Sequence, residues 1–292
     1  MAASTFVQRW EPATAGEALL HFLAKEVVEQ KVRRQDLQDL MEDLPRGNSF
    51  AVFMYGCLVL HPFARLVQAA KHYRTLHIDD VPHANDLIRR YATEYLDITR
   101  STCKNFDKLA PLAYEAAAKS SKASASTADF RVAIIREARG TVFCYSCGSM
   151  LDPNAQSEDE PDYMDIDHVW PHSLGGDTVL TNLIPACIPC NSMRKHLASW
   201  EWSLVQAPVL GRMGSKKLDD KKIGKPEKIA LHTRAAMDFA RKNGGTLKDA
   251  YQFIGARVSE GIELIDSSDT PDFFNLYTHD QIRSEITWED LL

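Results

Sequence analysis

Residues 164–187 read MDIDHVWPHSLGGDTVLTNLIPAC, and the organisation of the chain turns on what that stretch is. Met164 to Val169 alternates apolar and polar side chains with the period of two expected of a strand with one face buried. Gly175-Gly176 supplies a turn, and Leu183-Ile184 begins a second short extended piece. Cysteines bound the stretch: Cys144 and Cys147 precede it, and Cys187 and Cys190 close it. The N-terminus lacks the basic-then-apolar layout of a secretory signal, which predicts a cytoplasmic, reducing setting. There, two separated C-x-x-C pairs predict metal ligation, not disulfides. Four thiolates suit a tetrahedral Zn²⁺ with no open position, an ion that holds a fold together and does no chemistry. After Cys190, NSMRKHLASWEW places Met193, Leu197 and Trp200 on one face of a predicted helix. Strand, loop, strand and helix then form a small unit stapled by zinc.

The rest of the chain reads as mainly α. From residue 14 to about 118 apolar side chains recur at three- and four-residue intervals, as in Leu19, Leu20, Leu23, Val27 and Val28. Thr14 followed by Glu17 predicts a capping box. The small polar run KSSKASAST, residues 119–127, reads as a linker, and a short helix ADFRVAIIREARG follows it with Thr127 as N-cap and Gly140 as its stop. Helical periodicity returns in PEKIALHTRAAMDFARKNGG and TLKDAYQFIGARVSEGIELI. The expected division is a helical N-terminal region at 1–126, the zinc-stapled unit at 127–205, and a C-terminal region of basic stretch, helices and acidic tail at 206–292. The longest apolar run, Phe50 to Leu60, is too short to span a bilayer, which predicts a buried helix and no membrane association. Cys57 and Cys103 are expected as small buried hydrophobes.

A formal net charge of −6 does not announce a nucleic-acid partner, but its distribution does. Residues 191–242 hold twelve Lys/Arg against five Asp/Glu, a local +7 that leaves −13 for the remainder. From Glu260 onward there are nine acidic residues and one arginine, Arg283. The basic stretch follows the second cysteine pair directly, where a phosphate-binding surface is useful.

The pattern resembles the HNH endonuclease family, in its zinc-containing branch of ββα-metal nucleases. Its carriers are Cys144 and Cys147, Asp167-His168, Pro171, Gly175-Gly176, Asn182, Cys187, Cys190, Asn191 and Lys195. His168 lies 14 residues before Asn182 and 23 before Asn191, spacings similar to those in the HNH domain of CRISPR effector nucleases. The resemblance implies a mainly α fold, with helical regions around a central ββα-metal unit. It also implies roles: His168 as general base on water, Asp167 and Asn191 as ligands of a catalytic Mg²⁺ or Mn²⁺, and Asn182 orienting the His168 loop. Lys195, at i+4 from Asn191, is expected to bind phosphate. The implied substrate is nucleic acid, DNA ahead of RNA.

Those residue types suit phosphodiester hydrolysis. A neutral imidazole accepts a proton near pH 7. Adjacent residues on a strand face opposite ways, so Asp167 and His168 do not compete for one place. Few protein oxygens on the ion leave room for water and phosphate, the usual manner of holding Mg²⁺. Alternatives stay open. His196 is a rival to Asn191, Asp165 shares a strand face with Asp167, and His172 has no assigned role. SEDEPDYMD, residues 157–165, reads as an exposed loop whose charge opposes DNA. A binding or scaffold protein without catalysis is the alternative from another class. The layout of an HNH unit with helical flanks also looks similar to anti-phage effectors that work beside an ATPase, which implies a regulatory protein partner.

Overall fold

The computed structural model describes residues 7–32, 47–121, 128–155, 157, 160, 162–194, 197–202 and 225–256. Lys195, His196, Thr127 with most of the linker, the core of the basic stretch (203–224) and the acidic tail lie outside the described residues. The described residues form two compact units, one drawn from 1–125, 170–178 and 241–246, the other from 126–169, 179–240 and 247–292.

The first unit is helical: α1 (Ala15–Leu23), α2 (Gly47–Leu76), α3 (Val81–Leu96) and α4 (Leu109–Ser121). Thr14 and Glu17 form the capping box, with the Glu17 N–H donating to Thr14 Oγ1 at 3.2 Å and the Thr14 hydroxyl donating to Glu17 Oε2 at 2.8 Å. The Ala13 N–H and the Trp10 indole N–H donate to the same carboxylate. Burial nevertheless pushes Glu17 up to about 7. Beyond α1 the chain winds through a π turn, Ala24–Val28, and ends in one α turn, Glu29–Lys31. In α2, Tyr55, Val59, Phe63, Leu66 and Ala70 are buried at three- and four-residue steps. The opposing face of α4 is made of small residues, Ala110, Ala113, Ala116 and Ala117, which lets α1 and α2 approach it closely. Asp80 caps α3 by accepting the His83 N–H, and Ala84, Ile88 and Ala92 bury its inner stripe. Cys103 is buried and Cys57 half-buried. Among the described residues no helix is long and apolar enough to cross a membrane.

Residues 170–178, WPHSLGGDT, are built into this helical unit. Trp170 is fully buried, its ring edge-on to Phe63 at 5.6 Å and its indole N–H donating to the Leu174 carbonyl at 3.0 Å. Asp177 accepts the Ala15 N–H at the start of α1 and pairs with Lys119 at 2.7 Å. Lys71 donates to the Ser173 carbonyl, and the Gly16 N–H to that of Gly175. Gly175 has φ +85 with Ala116 against it, and a Cβ at Gly176 would fall 1.9 Å from the Trp170 carbonyl oxygen. The Gly-Gly pair is therefore required by a left-handed backbone at one position and by close approach at the other.

The second unit holds α5 (Ala128–Glu137), the hairpin β1 (Val142–Phe143) and β2 (Met150–Leu151), the antiparallel pair β3 (Asp165–His168) and β4 (Leu183–Ala186), α6 (Ile188–Arg194), α7 (Lys225–Asn243) and α8 (Leu247–Ile254). Its register sets Asp165 opposite Ala186, Asp167 opposite Ile184 and His168 opposite Leu183. Arg131 of α5 donates to the carbonyls of Pro153 and Met164 and so holds the chain entering β3. Lys248 of α8, itself buried, donates to Glu137 Oε2 and to the Leu180 carbonyl, each at 2.7 Å.

One element differs from its sequence reading. The helix expected to carry Met193, Leu197 and Trp200 on one face starts earlier, at Ile188 within the second cysteine pair, and residues 197–199 are irregular before a single 3₁₀ turn at Trp200–Trp202. Ala198, Ser199, Trp200 and Glu201 are all buried, and a helix with one inward face cannot bury four consecutive side chains.

Trp170→Ala is expected to cost about 3–5 kcal/mol of stability, the range for deleting a large buried aromatic, with Trp170→Phe costing less. Chemical denaturation of the full chain checks this. His21, half-buried with its Nε2 out of solvent and unpartnered among the described residues, is pushed down to about 3 by burial and by the nearby Arg241 charge. The unfolded chain takes up that proton near pH 6.5 and the folded chain resists it, so this contribution to stability is intact above 6.5 and falls away as the pH drops toward 3. A His21→Gln variant is expected to lose less stability than wild type across that interval, read from denaturation midpoints at several pH values.

Candidate metal and nuclease site

Among the described residues, the candidate site residues read from sequence lie on β3 and α6, in the turn that leads into β4, and in the cysteine pairs at their edges. Cys144 and Cys147 sit in the turn between β1 and β2, where the Cys144 N–H donates to the Ser149 carbonyl and the Gly148 N–H to that of Cys144. The Tyr145 N–H donates to the Pro185 carbonyl at 3.1 Å, which ties this knuckle to β4. Cys187 and Cys190 occupy the start of α6, where the Asn191 N–H donates back to the Cys187 carbonyl. The four sulfurs lie within 4.8 Å of one another and all four cysteines are buried. A tetrahedral zinc–sulfur centre with bonds of about 2.3 Å has sulfur–sulfur edges of about 3.8 Å. Cys147 and Cys187 are 3.8 Å apart. The donor set, its closure and its burial fit a structural zinc. Hydrogen bonding among the thiols depresses Cys147 and Cys187 and raises Cys190, while burial raises Cys144.

His168 ends β3, half-buried, its neighbour Val169 donating an N–H to the Asn182 carbonyl at 2.8 Å. Asn182 is buried in the 3₁₀ turn Leu180–Asn182, the turn whose Leu180 carbonyl is gripped by Lys248. The residue after the histidine is thus tied to the asparagine 14 positions on.

Asp165 and Asp167 share a strand face, and Asn191 and Arg194 share a face of α6. The two faces meet in register. Asn191 Nδ2 donates to Asp165 Oδ2 at 2.6 Å, and Arg194 Nη1 donates to Asp167 Oδ2 at 2.8 Å. The Tyr145 hydroxyl donates to the same Asp167 oxygen at 2.7 Å. Both hydrogen bonds of Asp167 fall on Oδ2, and Oδ1 accepts none among the described residues. Asn191 likewise spends Nδ2 on Asp165 and keeps Oδ1 free of protein donors among the described residues. A carboxylate and an amide each fixed at one atom, with the other oxygen left over, are oxygen donors suited to a hard divalent cation.

Asp165, a secondary candidate ligand by sequence, is the partner that orients Asn191. Tyr145 and Arg194 escaped the sequence reading. The sole signal for Arg194 is its spacing of three from Asn191, and Tyr145 lies unmarked between two zinc cysteines. His172 begins a 3₁₀ turn, His172–Leu174, in the helical unit.

Full-length protein is expected to carry one zinc per chain. Cys187→Ser, or treatment with a strong chelator, is expected to lower the melting temperature and unprotect β3 and β4 to hydrogen exchange. Metal analysis beside thermal melting checks this, and a melting curve indifferent to chelation would count against the structural zinc.

No curated protein and no solved structure matched the chain. A scan against protein families did: residues 144–197 match the model described as HNH endonuclease. The stretch runs from the first cysteine of the buried cluster through β3, β4 and α6, so this mainly helical chain carries a match to the HNH endonuclease domain over the part that holds the four cysteines.

Proposed function

We propose that the chain is a metal-dependent endonuclease that hydrolyses phosphodiester bonds in DNA. The observation that carries this reading is that Asp167 and Asn191, on the facing elements β3 and α6, are each held by a protein partner at one polar atom and, among the described residues, keep the other oxygen without a donor, with a histidine next to Asp167 at the end of β3. His168 takes the proton from the attacking water, and its place on the opposite strand face from Asp167 keeps base and ligand apart. The Val169 N–H to Asn182 carbonyl bond fixes the backbone that carries the imidazole, so Asn182 positions the base. Asp167 and Asn191 hold Mg²⁺ or Mn²⁺, which when bound supplies neutralisation of the charge on the leaving 3′ oxygen. Lys195, outside the described residues, belongs to the same proposal as a phosphate contact.

The local +7 over residues 191–242 supports a nucleic-acid substrate, since phosphate contacts dominate affinity. The −13 carried by the remainder supports a regulatory protein partner, and the layout of an HNH unit with helical flanks, similar to anti-phage effectors that work beside an ATPase, supports a partner of that kind.

Wild-type protein with Mg²⁺ or Mn²⁺ is expected to nick or linearise plasmid DNA, and His168→Ala to slow cleavage at least about 100-fold, the usual contribution of a general base. Timed gel assays across divalent metals, on duplex, single-stranded and RNA substrates, decide it. Wild-type protein inert on all of them, with and without co-purifying partners, would leave a zinc-stapled binding or scaffold protein as the better description.

A further inference from the structure

Arg194 is buried at 4% exposure in a unit with little room for an unsatisfied charge. Its guanidinium meets three consecutive residues of the strand end: Nη1 donates to Asp167 Oδ2 and to the His168 carbonyl at 3.0 Å, and Nη2 donates to the Val169 carbonyl. The two carbonyls lie where β3 runs out, and the planar fork reaches both while pinning the carboxylate.

The other side of the guanidinium is closed by rings. It lies 5.9 Å from the centroid of Tyr145 and 5.7 Å from that of Tyr251. His232 stacks on Tyr145 at 5.9 Å and stands edge-on to Tyr251 at 4.9 Å. The His232 ring is fixed by Nε2 against the Gly255 carbonyl at 2.9 Å, and the Tyr251 hydroxyl donates to Thr233 Oγ1. His232 and Thr233 come from α7 and Tyr251 from α8, all beyond the family match at 144–197.

We propose that Arg194, covered by the rings of Tyr145 and Tyr251 that His232 braces, is the positioning residue of the catalytic strand, and that α7 and α8 are thereby part of the nuclease machinery. The fork holds the His168 and Val169 backbone at the end of the ladder. With the Tyr145 hydroxyl it also takes Asp167 Oδ2 out of play, so that Asp167 offers one defined oxygen, Oδ1, to the cation. The cage makes the charge tolerable at that depth by surrounding it with ring faces and one carboxylate. For its metal arm this inference rests on the endonuclease reading.

The test uses full-length, zinc-loaded protein with Mn²⁺ as the probe. Tyr145→Phe keeps the ring over Arg194 and removes only the hydroxyl donated to Asp167, and Arg194→Lys keeps the charge and removes the fork. Both are expected to retain stoichiometric zinc, to bind Mn²⁺ at least about tenfold more weakly by electron paramagnetic resonance titration, and to cleave DNA more slowly at saturating metal. Arg194→Lys is also expected to speed hydrogen exchange at residues 165–169 without a matching change in the first helical unit. If it fails to fold, Tyr145→Phe carries the test. Folded variants that bind Mn²⁺ as well as wild type would overturn the proposal, and tighter binding would mean that Arg194 competes with the ion. Wild-type protein that binds no Mn²⁺ would sink the metal-dependent reading instead. The exchange measurement then still decides the positioning role: unchanged exchange at 165–169 in Arg194→Lys overturns it.

Discussion

Four buried thiols within 4.8 Å of one another are the constraint on which the HNH unit depends. Its sheets are two pairs of very short strands, and isolated two-stranded elements of that size are marginal in water. One ion held at both knuckles would link the β1–β2 turn to the start of α6, and the Tyr145 N–H to Pro185 bond carries that link into β4. Once those ends are joined, the register of β3 on β4 and the rotation of α6 follow, and with them the meeting of Asn191 with Asp165 and of Arg194 with Asp167.

The polar side chains around β3 illustrate how a site can be built from pairs that each leave one atom unused. Asp165 accepts from Asn191, Arg194 and Tyr145 donate to Asp167, and Asn182 accepts from Val169 through its backbone. Each contact removes a degree of freedom from a proposed ligand or from the strand end that carries the proposed base. Losing a residue that orients a metal ligand commonly costs about 10–100-fold in metal affinity. Here such residues come from the zinc knuckle, from α6 and, through the rings around Arg194, from helices far along the chain.

Much of the candidate site was legible in the residue pattern. Cysteine pairs, an acidic-histidine pair and two asparagines at set intervals are local or evenly spaced signals, and a mainly α fold around a small ββα unit followed from hydrophobic periodicity. The helix after Cys190 was read too far, because Met193, Leu197 and Trp200 keep helical spacing although four consecutive residues from Ala198 are buried. The loop WPHSLGGDT was legible only as a turn with two glycines. Its burial in the helical unit depends on Trp170 meeting Phe63 and on Asp177 meeting Ala15 and Lys119, contacts across more than fifty residues that no short-range pattern encodes.

The sequence by itself determined the four cysteines of the candidate zinc site, the strand that bears His168 and the helical character of the flanks, because thiol spacing and side-chain periodicity are properties of neighbouring residues. Tertiary structure alone decided that Asp165 orients Asn191, that a buried arginine and a tyrosine fix Asp167, and that the rings of Tyr145 and Tyr251, themselves packed against His232, lie over that arginine. Those relations arise when separate helices and strands are brought within hydrogen-bond and ring-contact distance. A charge acquires its partners, and its tolerance for burial, only there.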